Sequence, residues 1–260
     1  MKLLDLHTHP YSHGEKYIKK NYSSKYLKRY IKSAENNNIN ILGFSDHDQF
    51  MNNLDWDSLI ELKESEQIKI LLGMEFDYIP GSEDKIKNKI NKYPLDYTIG
   101  SVHNIDKWPF DHPDYKEQFN HKNIFRIYEK YFNLVKKAVE SKMFNIIGHL
   151  DLIKIYNYRI DSFKLEKMVK PVLETINKNN LIIEINTNGL NKPIKEIYPS
   201  INILKMAYKM DIPITLGSDA HRPERVGENF NTIIKLIKDI GYDFISYFEN
   251  NQIKHRKIRK

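Results

Sequence analysis

Cysteine is absent from the 260 residues. That excludes disulfides and thiolate ligands, so any metal held by the chain must use His, Asp, Glu or water. Such donors suit borderline and hard divalent ions, and zinc, manganese and iron all remain open. Long apolar runs are missing as well. No stretch approaches the roughly 20 residues that a membrane-crossing helix needs, and the chain enters Leu3-Leu4-Asp5-Leu6 without a signal-peptide pattern. The sequence therefore reads as cytoplasmic, with no membrane as partner. Internal repeats and interdomain linkers are lacking too, and residues 1–260 read as one domain.

What is present is ordinary for a folded protein: 40% hydrophobic and 29% charged residues, enough to bury one substantial core. The net charge of +7 invites nucleic acid as a partner, but the lysines are spread along the chain. Only 254–260 is a dense basic cluster, and it reads as a solvated C-terminal tail.

Short apolar runs alternate with longer helix-like stretches, the rhythm of a parallel sheet or barrel. Strands are expected at Leu3–Leu6, Ile41–Ser45, Ile70–Phe76, Tyr97–Val102, Asn145–Gly148, Leu181–Ile185 and Ile214–Gly217. Helices are expected at Ser24–Asn36, Trp56–Glu66, Asn123–Ser141, Phe163–Asn179, Tyr198–Met210 and Thr232–Ile240. Two segments break the rhythm, Asp77–Pro94 and Asn104–Lys122, and read as long loops of the kind that carry substrate contacts.

The chemistry gathers at the strand ends. His7 and His9 are one residue apart, so alternation points both to one face. His47 follows the second strand, Glu75 lies in the third, His103 ends the fourth and His149 the fifth, while Asp219 and His221 end the seventh. Singly, each has a plainer reading: His13 as a turn residue, Glu75 as a cap, Asp219 as a helix N-cap. Jointly they point to metal, because of ten histidines seven fall in this set, and a parallel barrel converges its strand ends at one edge. His112, His121 and His255 fall outside the pattern and read as surface residues.

These blocks resemble the polymerase and histidinol phosphatase (PHP) family: His7-Thr8-His9, Ser45-Asp46-His47, Gly73-Met74-Glu75, Ser101-Val102-His103, Gly148-His149-Leu150-Asp151 and Gly217-Ser218-Asp219-Ala220-His221. The segments Pro10–Gly14, Gly73–Gly81, Trp108–Asp111 and Glu184–Gly189 are most similar to its histidinol-phosphatase branch. The resemblance implies a distorted, TIM-like (β/α)7 barrel with its metal site at the C-terminal ends of the strands. It also implies three divalent ions per chain. His7, His9, Glu75 and Asp219 would hold one, Glu75 with His103 and His149 a second, and His13, His47 and His221 a third.

The activity so implied is hydrolysis of a small phosphate monoester, L-histidinol phosphate, in histidine biosynthesis. Clustered cations acidify water and neutralise a phosphate dianion. Asp46 is the candidate proton donor or imidazole orienter, with Asp48 and Asp151 as further orienters. Arg159 is the candidate phosphate clamp, its alternative being a surface pair with Asp161, and Arg222 and Arg225 are weaker clamps. Asp77, Asp111 or Asn186 would meet the amino and imidazole groups of the substrate. Two competing readings are a PHP-type nuclease or nucleotide phosphoesterase, and a noncatalytic metal-binding barrel. The oligomeric state is not legible.

Overall fold

The computed structural model describes residues 1–11, 23–249 and 252–258. Its centre is built from β1 (Leu3–Asp5), β2 (Ile39–Phe44), β3 (Lys69–Asp77) and β4 (Tyr97–Ser101). After a short hairpin of β5 (Asn104–Ile105) and β6 (Trp108–Pro109) come β7 (Ile146–Ile147), β8 (Ile182–Asn186) and β9 (Ile214–Gly217). The seven main strands lie in the order β1-β2-β3-β4-β7-β8-β9, each parallel to the next. Beyond their ends the edges meet: Leu6 N donates to Leu216 O at 3.0 Å and Asp219 N to His7 O at 2.7 Å. The sheet is thereby a nearly closed, TIM-like barrel, and every expected strand is present.

The strands form because their runs are apolar on both faces, as a sheet covered by helices outside and side chains inside requires. In β3, Ile70 to Phe76 are all buried. Helices α1 (Ser24–Asn36), α2 (Trp56–Ser65), α3 (Glu83–Lys92), α4 (Ile124–Glu140), α5 (Ser162–Lys178), α6 (Ile201–Lys209) and α7 (Phe230–Ile240) lie between or after the strands. Side-chain caps start several of them: Ser23 accepts from Tyr26 N, Asn123 from Arg126 N, and Asp161 from Phe163 N and Lys164 N. α4 buries Ile127, Tyr128, Tyr131, Phe132, Val135, Ala138 and Val139, the three-and-four spacing of a core-facing stripe.

Three expectations are corrected. The segment 77–94 contains α3, whose acidic first turn (Glu83, Asp84) and basic last turn (Lys89, Lys92) complement the helix dipole. It buries only Ile86, with Ile90 packed partly against the core, so the apolar pattern was too sparse to reveal it. The segment 104–122 holds the β5–β6 hairpin and a 3-10 helix at Pro113–His121. The basic C-terminal segment is not a free tail. β10 (Phe244–Glu249) pairs antiparallel with β11 (Gln252–Lys257), Arg256 donates to Leu3 O at 3.1 Å and reaches Asn40, and Lys69 pairs with Glu249. The hairpin so packs beside the N-terminal ends of β1, β2 and β3, opposite the strand ends that carry the histidines.

Candidate metal centre

Glu75 is the hub. Near the end of β3, 1% exposed, it faces imidazoles from four other strand ends. Its Oε2 lies 2.9 Å from His47 Nδ1, 3.4 Å from His7 Nε2 and 3.6 Å from His9 Nε2. Its Oε1 lies 2.9 Å from His149 Nε2 and 3.6 Å from His103 Nε2. His9 Nε2 is also 3.3 Å from Asp219 Oδ1, which is 3.4 Å from His221 Nδ1. The His9 ring packs at 4.4 Å from those of both His47 and His221.

Among the described residues, three groups have donor atoms close enough to share an ion: His7, His9 and Glu75; Glu75, His103 and His149; His9, His47 and His221. The first two share Glu75 and the first and third share His9, so the centre is continuous. Its backbone is strained where ligands leave the strands, since His149 (φ 22°) and Asp219 (φ 52°) both adopt positive φ, a feature concentrated at functional sites. His13 lies outside the described residues.

The electrostatics fit cations. Burial would raise the Glu75 carboxyl, but His47, His7 and His103 outweigh it and hold the group well below the usual carboxylate range. Asp219 is held down against burial by His9, His7 and His221. Burial lowers His9, helped by the charges of His47 and His221, so its lone pair is free. Burial opposes protonation of His103 too, yet the Asp77 hydrogen bond and the Glu75 carboxylate push it up to about 10. Buried His7 Nε2, both His9 ring nitrogens and His149 Nδ1 have no hydrogen-bond partner. Buried polar atoms are normally satisfied, and imidazole lone pairs converging on carboxylates are a donor set for borderline divalent ions. The residues present fit the metal.

Further side chains orient the ligands. Glu184, from β8, accepts from His7 Nδ1 at 2.6 Å and from the His149 backbone N at 2.7 Å. Asp77 accepts from His103 N at 3.0 Å. Asn186 and Asn188 donate to Asp219 Oδ2 at 3.3 and 3.0 Å. In the sequence Glu184 was visible only as part of the Glu184–Gly189 block, on the one barrel strand with no assigned ligand.

Other expected site residues are engaged with other partners. Asp46 is buried, but its carboxyl accepts from Tyr11 N at 2.7 Å and so tethers the segment after β1. Asp48 pairs with Lys89, and Asp151 with Lys154 at 2.9 Å. Arg159 bonds Glu196 at 2.6 Å and Asn157 at 2.7 Å, pairing with Glu196 where Asp161 was the expected partner. It lines a separate cavity of about 620 Å³. Arg222 is exposed, and Arg225 bonds Asn188 and Glu228. His112, His121 and His255 are exposed, as expected.

The metal-ligand groups open into a cavity of about 1020 Å³, walled by His47, Glu75, His103, His149, Asp219 and His221 on one side. Asp48, Asp77, Asp111, Lys85, Lys89 and Lys192 add charge, and Ile79, Leu152 and Ile155 add apolar surface. No helix among the described residues is long and apolar enough to cross a membrane.

A parallel barrel that gathers imidazoles and carboxylates at the C-terminal ends of its strands belongs to the class of barrel proteins with a histidine-rich metal centre. The chain is a member of the PHP domain family, which matches residues 5–188, and a PHP-associated family matches residues 203–240. It is 33% identical over 193 residues to a probable histidinol-phosphatase of Deinococcus radiodurans, covering 74% of this chain and 71% of the relative. It is 25% identical over 280 residues to the histidinol-phosphatase of Lactococcus lactis, covering 99% and 98%. The crystal structure of a histidinol phosphate phosphatase from Lactococcus lactis, complexed with zinc, L-histidinol and phosphate, superposes with a TM-score of 0.77. It is 21% identical and spans 97% of this chain and 99% of that one, which confirms the barrel.

Proposed function

We propose that this protein is a metal-dependent phosphomonoesterase that hydrolyses L-histidinol phosphate to L-histidinol and phosphate, acting in the cytoplasm with residues 1–260 as one unit. The observation that carries the reading is the set of ligand groups joined through Glu75 and His9, in a chain whose curated relatives include histidinol-phosphatases.

The sets His7, His9, Glu75 and Asp219; Glu75, His103 and His149; and His13, His47 and His221 would each hold one ion. Zinc, manganese or iron held there would supply Lewis acidity toward phosphate oxygens and lower the pKa of water so that hydroxide is available near neutral pH. The chain does the rest. Glu75, anionic, presents one oxygen toward His7 and His9 and the other toward His103 and His149, and would lessen the repulsion between cations held by those groups. His9, kept neutral by burial and by His47 and His221, presents a lone pair. Asp77 fixes the direction of His103.

Lys192 lines the cavity, and no ion pair involves its ammonium among the described residues, so it attracts the phosphate end of the substrate. Asp111 lines the same cavity, and its carboxylate suits the ammonium or imidazole end. Leu152 and Ile155 cover the carbon skeleton between. Arg159, paired with Glu196, is replaced by Lys192 as the preferred phosphate contact, and Asp46 holds the chain beside His9 in place.

Steady-state kinetics with L-histidinol phosphate against a panel of other phosphomonoesters tests the proposal. The expected result is a kcat/KM for histidinol phosphate that leads the panel. A preference of more than about a hundredfold for another ester, roughly 2.7 kcal/mol of transition-state binding, would overturn it.

A further inference from the structure

β8 supplies none of the clustered ligands, yet Glu184 from this strand touches two others that do. Glu184 is 1% exposed. Its Oε1 accepts from His7 Nδ1 at 2.6 Å and from Asn186 Nδ2 at 3.2 Å, and its Oε2 accepts from His149 N at 2.7 Å. The two oxygens therefore face hydrogen-bond donors from β8 and from the ends of β1 and β7.

A carboxylate offers an acceptor at each oxygen. A glutamine must turn its amide NH2 toward His7 Nδ1 or toward His149 N, setting a donor against a donor, unless His7 changes tautomer. That tautomer is the central point. With its proton on Nδ1, held by Glu184, His7 leaves Nε2, 3.4 Å from Glu75 Oε2, as the nitrogen that would give its lone pair to a cation. With the proton on Nε2, His7 can bind no cation there. The approach is built into the neighbouring strand: a Cβ on Gly217 would fall 1.9 Å from Glu184 Oε1.

We infer that Glu184 is a positioning residue that sets the His7 tautomer and ties the His7 and His149 groups together, so that the two metal groups sharing Glu75 load as a unit. The inference rests on the metal centre proposed above and deepens it.

The test compares wild type, Glu184→Gln, Glu184→Asp and Glu184→Ala, each stripped of metal and then titrated with Zn2+ and with Co2+. Stoichiometry, competition affinity and the visible spectrum of bound Co2+ are read, together with the melting temperature of each metal-free form. Loss of an orienting partner typically weakens metal binding roughly 10–100-fold. The expected outcome is a loss of that size for Glu184→Gln, with an altered Co2+ spectrum and fewer ions bound at limiting metal. Glu184→Asp keeps both acceptors one methylene further back and falls in between. If Glu184→Ala fails to fold, Glu184→Gln decides. A Glu184→Gln protein with wild-type affinity, stoichiometry and spectrum overturns the inference while leaving the metal centre standing. A wild type that takes up no ion overturns both.

Discussion

Gly217→Ala adds one methyl group at the tightest point of the centre, and its consequence can be worked from distances. The new Cβ would stand 1.9 Å from Glu184 Oε1 and 2.7 Å from His7 Cβ, where comfortable contacts begin near 3.5 Å. Glu184 must then retreat by about 1.5 Å, which breaks its 2.6 Å bond to His7. Loss of a hydrogen bond to a charged group contributes roughly 1.5–3 kcal/mol, and overpacking a filled site roughly 1–3 kcal/mol. Together they destabilise the fold by about 2.5–6 kcal/mol. For a chain of this size each kcal/mol lowers Tm by about 2–4 °C, so the expected fall is roughly 10 °C. Thermal unfolding of the metal-free protein, followed by circular dichroism, measures it, and metal analysis should show reduced occupancy. A Tm within about 2 °C of wild type, with unchanged metal content, would refute the reasoning.

His103→Ala and Asp219→Ala should each lower kcat/KM at least about a thousandfold, the scale of several kcal/mol of Lewis-acid stabilisation. Unchanged far-ultraviolet circular dichroism would separate lost metal from lost fold. In the metal-free protein, stability should decline between about pH 6.5 and 10. Asp77 and Glu75 raise His103 to about 10 when folded, so its contribution is full below the unfolded value and lost as pH climbs through the folded one. Urea unfolding across that window checks the sign, and a flat profile would contradict it. Removing residues 252–260 should destabilise the protein by about 3 kcal/mol or more, because buried Ile258 is lost and Ile245 and Phe248 lose the cover of β11. A truncated protein with the wild-type urea midpoint would show that the hairpin is dispensable.

The sequence alone determined the seven strands, because each is an apolar run bounded by turn residues, and most helices, because α4 and α5 carry capped, core-spaced stripes. The histidines and carboxylates of the centre were legible for the same reason, since their places relative to strand ends follow from local pattern. It missed α3 and β11, where charged residues outnumber the apolar ones that would mark an element, and β10, an apolar run outside the strand–helix alternation whose strand partner is the charged β11. Contacts between side chains far apart in the chain were decided by the tertiary structure. Arg159 and Glu196 meet only because the segments after β7 and β8 lie side by side, which moves the guanidinium away from the histidines. Glu184 and His7 are 177 residues apart, and only closure of the barrel, with Gly217 leaving room between them, brings the carboxylate to the imidazole. Local pattern says which residues reach the rim of a barrel; which partner each one finds there depends on how the strands close around it.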